Sequence, residues 1–361
     1  MTGSSSGARL EYVDRLRGLA VLIMVDAHVF DAWTLVADRR TPLYRWAIVI
    51  GGYAAPLFLF LVGVGIAFAA GRRSRRDPHG ADTTPRRVCR RGVFVLGLAF
   101  AFRLQAWLVS GGSFARQLLK VDILNVMGVS MMLAAAVWRV AGSSARRRAV
   151  WLLGLSTALV WLMPFVYGWP ALDGLADPIE GYLRPTFGRT SFSLVPWTAF
   201  VFLGMVAGWA VDRHAALGRT TALTWCGGIG VVLLLVSTLL ALGIDFGPDR
   251  ATWAYSRTFF LMRVGVVLTA LPVARAWTAR WPGWSPLREF GEASLFVYWI
   301  HVELAYGAPT VVLHRALPVA VTVVAYGGVV LLMFGLIRVR DRVLGGRTAS
   351  PASPGPAPLN A

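Results

Sequence analysis

Long apolar runs, separated by short charged or turn-rich stretches, repeat along the whole chain. A helix that crosses a bilayer needs about 20 mostly apolar residues. Ten segments meet that length: 18–36, 46–70, 92–110, 121–140, 149–167, 191–211, 221–243, 257–274, 292–313 and 318–337. Between them, RRSRRDPHGADTTPRR (72–87) is too charged to enter lipid, and GWPALDGLADPIEGYLRPTFGR (168–189) reads as a long loop rich in Gly, Pro and Asp. The pattern predicts an all-α polytopic integral membrane protein with about ten transmembrane helices around a central cavity. One domain is expected over 1–344, followed by a disordered Ala-, Ser- and Pro-rich tail over 345–361.

Composition narrows the class. Of 361 residues, 56% are hydrophobic and only 15% charged, against roughly 25% charged in an ordinary soluble domain. That balance excludes a soluble two-domain protein and disorder over most of the chain. Two cysteines exclude a disulfide scaffold. The net charge of +18 would fit a nucleic-acid surface, but its placement argues otherwise: 24 of the 36 basic residues fall on the amino-terminal side of the ten spans. The positive-inside rule then puts both termini in the cytoplasm of a multi-pass cell-membrane protein, and nucleic acid is not an expected partner. The first apolar run carries Asp26, His28 and Asp31, so it reads as a span rather than a cleaved leader.

Ionisable groups at mid-membrane cost a few kcal/mol each and mark interior cavities by default. The first span reads EYVDRLRGLAVLIMVDAHVFDAW. Arg17 and His28 are eleven residues apart, which places them about 20° from one helical face and about 16 Å apart along the axis. Asp14 lies near that face, and Asp31 follows His28 closely enough to orient its ring. Asp26 points the opposite way and needs another partner, with Arg103 or Arg263 available. The ninth span, SLFVYWIHVELAYG, sets His301 at a depth similar to His28, with Tyr298 one turn before it and Glu303 on another face. Gln105, Asp122 and Asn125 are further polar groups in spans, and Pro196 opens the ladder of the sixth. Bland readings stand beside these. The histidines could be helix-packing hydrogen bonders, and Asp14 with Arg17 an interfacial anchor. GVGIAFAAG (63–71) suits helix packing. His79, His214 and His314 lie in loops or at span ends and read as incidental.

At these residues the sequence resembles a known family. DRLRGLAVLIMVDAH is similar to the first-span signature of membrane acyltransferases, and KVDILNVMGVSMML, SFSLVPWTAFVFLGMVAG and ASLFVYWIHVEL resemble three later blocks in order. Together they resemble the heparan-alpha-glucosaminide N-acetyltransferase-like and acyltransferase-3 group of the transmembrane acyltransferase superfamily. The resemblance implies transfer of an acyl group, usually acetyl, from cytoplasmic acyl-CoA to a sugar of an extracytoplasmic glycan or envelope component. Arg17 and His28 match the group's essential pair and Asp14 the acid before it. The heparan-type enzymes have an Asn where His28 stands and a reactive His further on, whereas residues 29–45 here contain no His. His28 therefore follows the acyltransferase-3 pattern, and an amino-sugar acceptor is not implied.

The expected division of labour follows. Asp14, Arg17, Arg103 and Arg263, with the basic loop 71–91, would hold the acyl-CoA co-substrate, whose phosphates need Arg donors; no metal is expected. His28, oriented by Asp31, would act as general base on the acceptor or take the acyl group itself. His301, Tyr298 or Arg263 would stabilise the oxyanion. Expected partners are the lipid bilayer and a carbohydrate acceptor, and a homodimer is compatible with the sequence. A proton-coupled transporter or flippase, which also uses intramembrane His, Asp and Arg, is the rival reading.

Overall fold

The computed structural model describes residues 5–111, 114, 118–186, 190, 192–243 and 256–345, excepting the side chains of 5–10, 110 and 345. The expected tail beyond 345 lies outside them. Thirteen α-helices are present among the described residues: α1 Ser5–Trp33, α2 Pro42–Gly51, α3 Ala54–Arg76, α4 Thr84–Ser110, α5 Ile123–Ala141, α6 Ala145–Tyr167, α7 Asp177–Leu183, α8 Leu194–Ala216, α9 Thr221–Gly243, α10 Arg257–Arg280, α11 Pro286–Glu292, α12 Ser294–Tyr306 and α13 Val319–Gly345. No strand forms there beyond an isolated bridge between Thr34 and Leu317. The chain is an all-α, multi-pass membrane protein.

Eight helical stretches are long and apolar enough to cross a membrane, with α2 and α3 counted as one. Ten spans were expected, and the two that fall short are α1 and α12. Charged residues interrupt the apolar run of α1, and α12 has only 13 residues before Gly307 ends it. These are the helices that carry His28 and His301. Their polarity is sheltered because α1 packs against α2, α3, α10, α11, α12 and α13, with Val21, Val25 and Val29 fully enclosed. Of segment 168–189, read as an ordered or mobile loop, residues 168–186 are described. They fold into a 3-10 turn at Pro170–Gly174 and into α7, tied together by Arg184, which donates to Glu180 at 2.8 Å and also contacts Asp173.

Small residues set the closest crossings. A Cβ on Gly63 would strike the Val201 carbonyl, and one on Gly204 the Phe60 carbonyl, so α3 and α8 meet backbone to backbone. Gly63 thus serves packing, whereas Gly65 faces open space. Likewise a Cβ on Gly18 would strike the Leu287 carbonyl, and one on Gly291 the Asp14 carbonyl, so α11 lies directly on the Arg17 end of α1. At the other end, Arg315 and Leu317 donate backbone N–H groups to Ala32 and Trp33 carbonyls at 2.9 Å each. Trp33 Nε1 donates to the Ala305 carbonyl at 3.0 Å, which holds α12 alongside α1. Pro196 was expected to open the ladder of its span, but it stands in the first turn of α8, after the non-helical Val195, where an N–H has no intrahelical partner. The Val195 carbonyl accepts from Tyr167 Oη at 2.8 Å and Ser193 Oγ at 2.6 Å.

Candidate active site

Because α1 and α12 run side by side, their histidines meet. His28 Nδ1 and His301 Nε2 are 2.9 Å apart, and the two rings are within 9° of parallel, the arrangement of an in-plane N–H···N bond. The proton can be assigned from the far side of His301, where Nδ1 lies 2.7 Å from the Val297 carbonyl. A carbonyl oxygen only accepts, so Nδ1 of His301 carries hydrogen, and in the neutral ring its Nε2 is a lone pair. His28 must then donate from Nδ1, which leaves its Nε2 as the basic edge.

His28 lines a cavity of about 1340 Å³, and His301, 1% exposed, does not. At one end the lining includes Arg17, Arg73, Arg87 and Arg91; at the other it includes Asp31 and Tyr306. Arg17 and Asp31 are fourteen residues apart on α1, roughly 21 Å along its axis. His28 sits between them. Arg17 donates to Asp14 Oδ1 at 2.8 Å. Burial pushes the Asp14 carboxyl above its ordinary value, with Arg17 pulling the other way.

A second polar group forms the wall near His28. Asp122 Oδ2 accepts from Arg103 at 2.5 Å and from Tyr298 Oη at 3.1 Å. Its Oδ1 accepts from the Ile123 amide as the cap of α5, and Asn125 completes a capping box. Lys120, the only lysine of the chain, lines the same cavity. Among the described residues, no group of three or more His, Cys, Asp or Glu is placed to hold a metal ion.

Several expected placements change. Asp31 makes no hydrogen bond to the His28 ring among the described residues: its carboxylate accepts from Tyr306 Oη at 2.8 Å and lies 3.7 Å from Arg39, while the ring pairs with His301. Arg263 stands outside the cavity lining, with its guanidinium 3.9 Å from the Phe259 ring centroid and 5.2 Å from that of Trp197; it reaches no nearer than the wall behind Gly52. Arg103 is engaged by Asp122 rather than by Asp26, whose buried Oδ2 has no hydrogen-bond partner. Glu303, placed on another face, does line the cavity. Sequence reasoning did not single out Arg73, Arg87, Arg91, Lys120 or Tyr306 individually. The arginines were legible only as a charged loop, and nothing in the sequence marks Tyr306.

Residues 9–243 match the family described as heparan-alpha-glucosaminide N-acetyltransferase, catalytic. The chain belongs to that family. It is thus a member of a membrane acetyltransferase family, and the matched segment contains Arg17, His28, Arg103 and Asp122. The helices that bring Tyr298, His301 and Tyr306 lie beyond the match. No match was found among curated proteins.

Proposed function

We propose that this protein transfers an acyl group, most simply acetyl, from cytoplasmic acyl-CoA to a hydroxyl or amine of a sugar in an extracytoplasmic glycan or envelope component, and that it resides in the cell membrane. The observation that carries the reading is His28, paired through Nδ1 to His301, on a cavity whose far end is lined by arginines. The basic excess on the Arg17 side makes that end cytoplasmic by the positive-inside rule. There, Arg17, Arg73, Arg87 and Arg91 suit the phosphates of CoA, with Asp14 holding the Arg17 side chain in place. A thioester reaching inward meets His28, which takes the proton of an acceptor arriving from the opposite end. The 1–344 segment acts as one unit in this reading, since α1 and α12, far apart in sequence, supply one site.

The test is release of free CoA thiol from acetyl-CoA by purified protein with a panel of sugars bearing hydroxyl or amino groups. His28→Ala is expected to abolish release while CoA still raises the melting temperature. Normal turnover by that variant would remove His28 from the chemistry. CoA-independent sugar transport in vesicles without thiol release would favour the carrier reading.

A further inference from the structure

Acyl transfer develops negative charge on the carbonyl oxygen, and a donor must meet it. The candidates visible in the sequence were His301, Tyr298 and Arg263. The structure leaves none of them available. His301 spends its N–H on Val297 and its lone pair on His28. Tyr298 spends its hydroxyl proton on Asp122. Arg263 lies outside the cavity that His28 lines.

Arg103 differs. Its side chain is 14% exposed and lines the cavity. One amino group is fixed on Asp122. Nε is enclosed by protein, and the second amino group, which makes no hydrogen bond among the described residues, is the one left to donate into the cavity. The anchor is itself rigid. Asp122 is held by Tyr298 Oη, by the first amide of α5 and by its capping box with Asn125. A contiguous set of contacts joins this group to the base: Tyr298 and His301 ring centroids are 6.0 Å apart, and those of His301 and His28 5.1 Å. The cavity therefore offers a base and a guanidinium held in place by Asp122.

We propose that Arg103 is the catalytic electrophile of this site, donating an N–H to the acyl carbonyl oxygen while His28 takes the acceptor's proton. The inference rests on the acyltransfer reading above. In the step, the acceptor oxygen or nitrogen forms a bond to the thioester carbon, and the C–S bond breaks with its electron pair leaving on sulfur. The proton held on His28 Nε2 then passes to that thiolate, so the base is regenerated. Asp122 is a positioning residue that keeps the guanidinium aimed and its charge compensated.

Removing one charge of a buried pair can unfold a protein, so two variants are needed: Arg103→Lys, which keeps the charge, and the neutral pair Arg103→Gln with Asp122→Asn. Both are assayed by thiol release from acetyl-CoA with the same sugar panel, and by the melting-temperature response to CoA. The expected result is a kcat lower by about a hundredfold to a thousandfold in both, with CoA binding unchanged. Unchanged kcat in both variants overturns the proposal, as does a raised KM for acetyl-CoA at constant kcat, which would make Arg103 a donor-binding group. An equal loss in Lys120→Gln with none in the Arg103 variants overturns it in favour of Lys120. A wild-type protein that releases no thiol overturns the acyltransfer reading, and this proposal with it.

Discussion

The Val297 carbonyl, 2.7 Å from His301 Nδ1, sets the proton positions of two rings in succession. A glutamine at 301 could still offer an oxygen to His28 Nδ1–H, whereas a leucine would leave that N–H unpaired beside an apolar group and free the ring to exchange tautomers. On the proposed chemistry, His301→Leu is expected to lower kcat by about a hundredfold or more. His301→Gln should keep most of it, with both read by thiol release against an unchanged melting response to CoA. Equal losses in the two variants would show that the ring is needed for shape alone. The matching depth of His28 and His301 was legible, because each can be counted inward from the edge of its run. That they touch was not legible, since neighbourhood between residues 273 positions apart is a property of packing. The Asp31 expectation failed on a similar point. Three-residue spacing allows an acid to reach a ring, but here Tyr306 and Arg39 compete for it and a second imidazole claims the ring.

Among the elements, α11 is the least conspicuous in sequence and among the closest to the site. It has seven residues and enters only because Gly18 and Gly291 remove the side chains between its backbone and that of α1. Gly18→Val would drive two methyl groups into the Leu287 carbonyl. Such overpacking costs about 1–3 kcal/mol, and its relief would push α11 and the adjoining Asp14 and Arg17 out of register. The expected outcome is a lower melting temperature with weaker CoA binding, both measurable by thermal shift. Wild-type values for both would mean that α11 is not seated as described. The long apolar helices were legible because twenty apolar residues have few other fates in water or lipid; their charged extensions, at the start of α4 and the end of α13, were not. The breaks at Gly52 and Tyr53, at Ala293 and at Gly307 were hidden, because an apolar sequence reads the same whether its helix continues or stops. Loop 77–83, read only as charge, is also fastened. Asp82 accepts from Trp138 Nε1 at 2.7 Å and from Arg148 at 3.0 Å. Burial opposes its ionisation, but hydrogen bonds from Trp138 and Thr84 hold its carboxyl below the ordinary value.

At the scale of the whole molecule, the surplus of positive charge divides into two uses. Most of it lies on one side of the apolar segments, the kind of asymmetry that orients a chain in a bilayer. Four arginines at the cavity mouth add a local field for a polyanion. Replacing Arg73, Arg87 and Arg91 together by Gln is expected to weaken CoA binding by roughly a hundredfold, at about 1 kcal/mol for each partly exposed pair. The remaining affinity should depend less on ionic strength, as titrations at low and high salt would show; an unaltered salt dependence would place the CoA phosphates elsewhere. The polarity of α1 also bears on how the protein is made. Synthesis runs from the amino terminus, so α1, one of the two helices too polar or too short to cross lipid alone, is produced before the helices that enclose it on the His301 side, α11 to α13. Until residues beyond 286 arrive, α1 has no partner for its imidazole and no cover for Asp14 and Arg17. A nascent chain stopped after α9 would hold every residue matched to the family and still lack a finished first helix environment. Arrival of α11 to α13, rather than insertion of any one apolar span, is what closes the site.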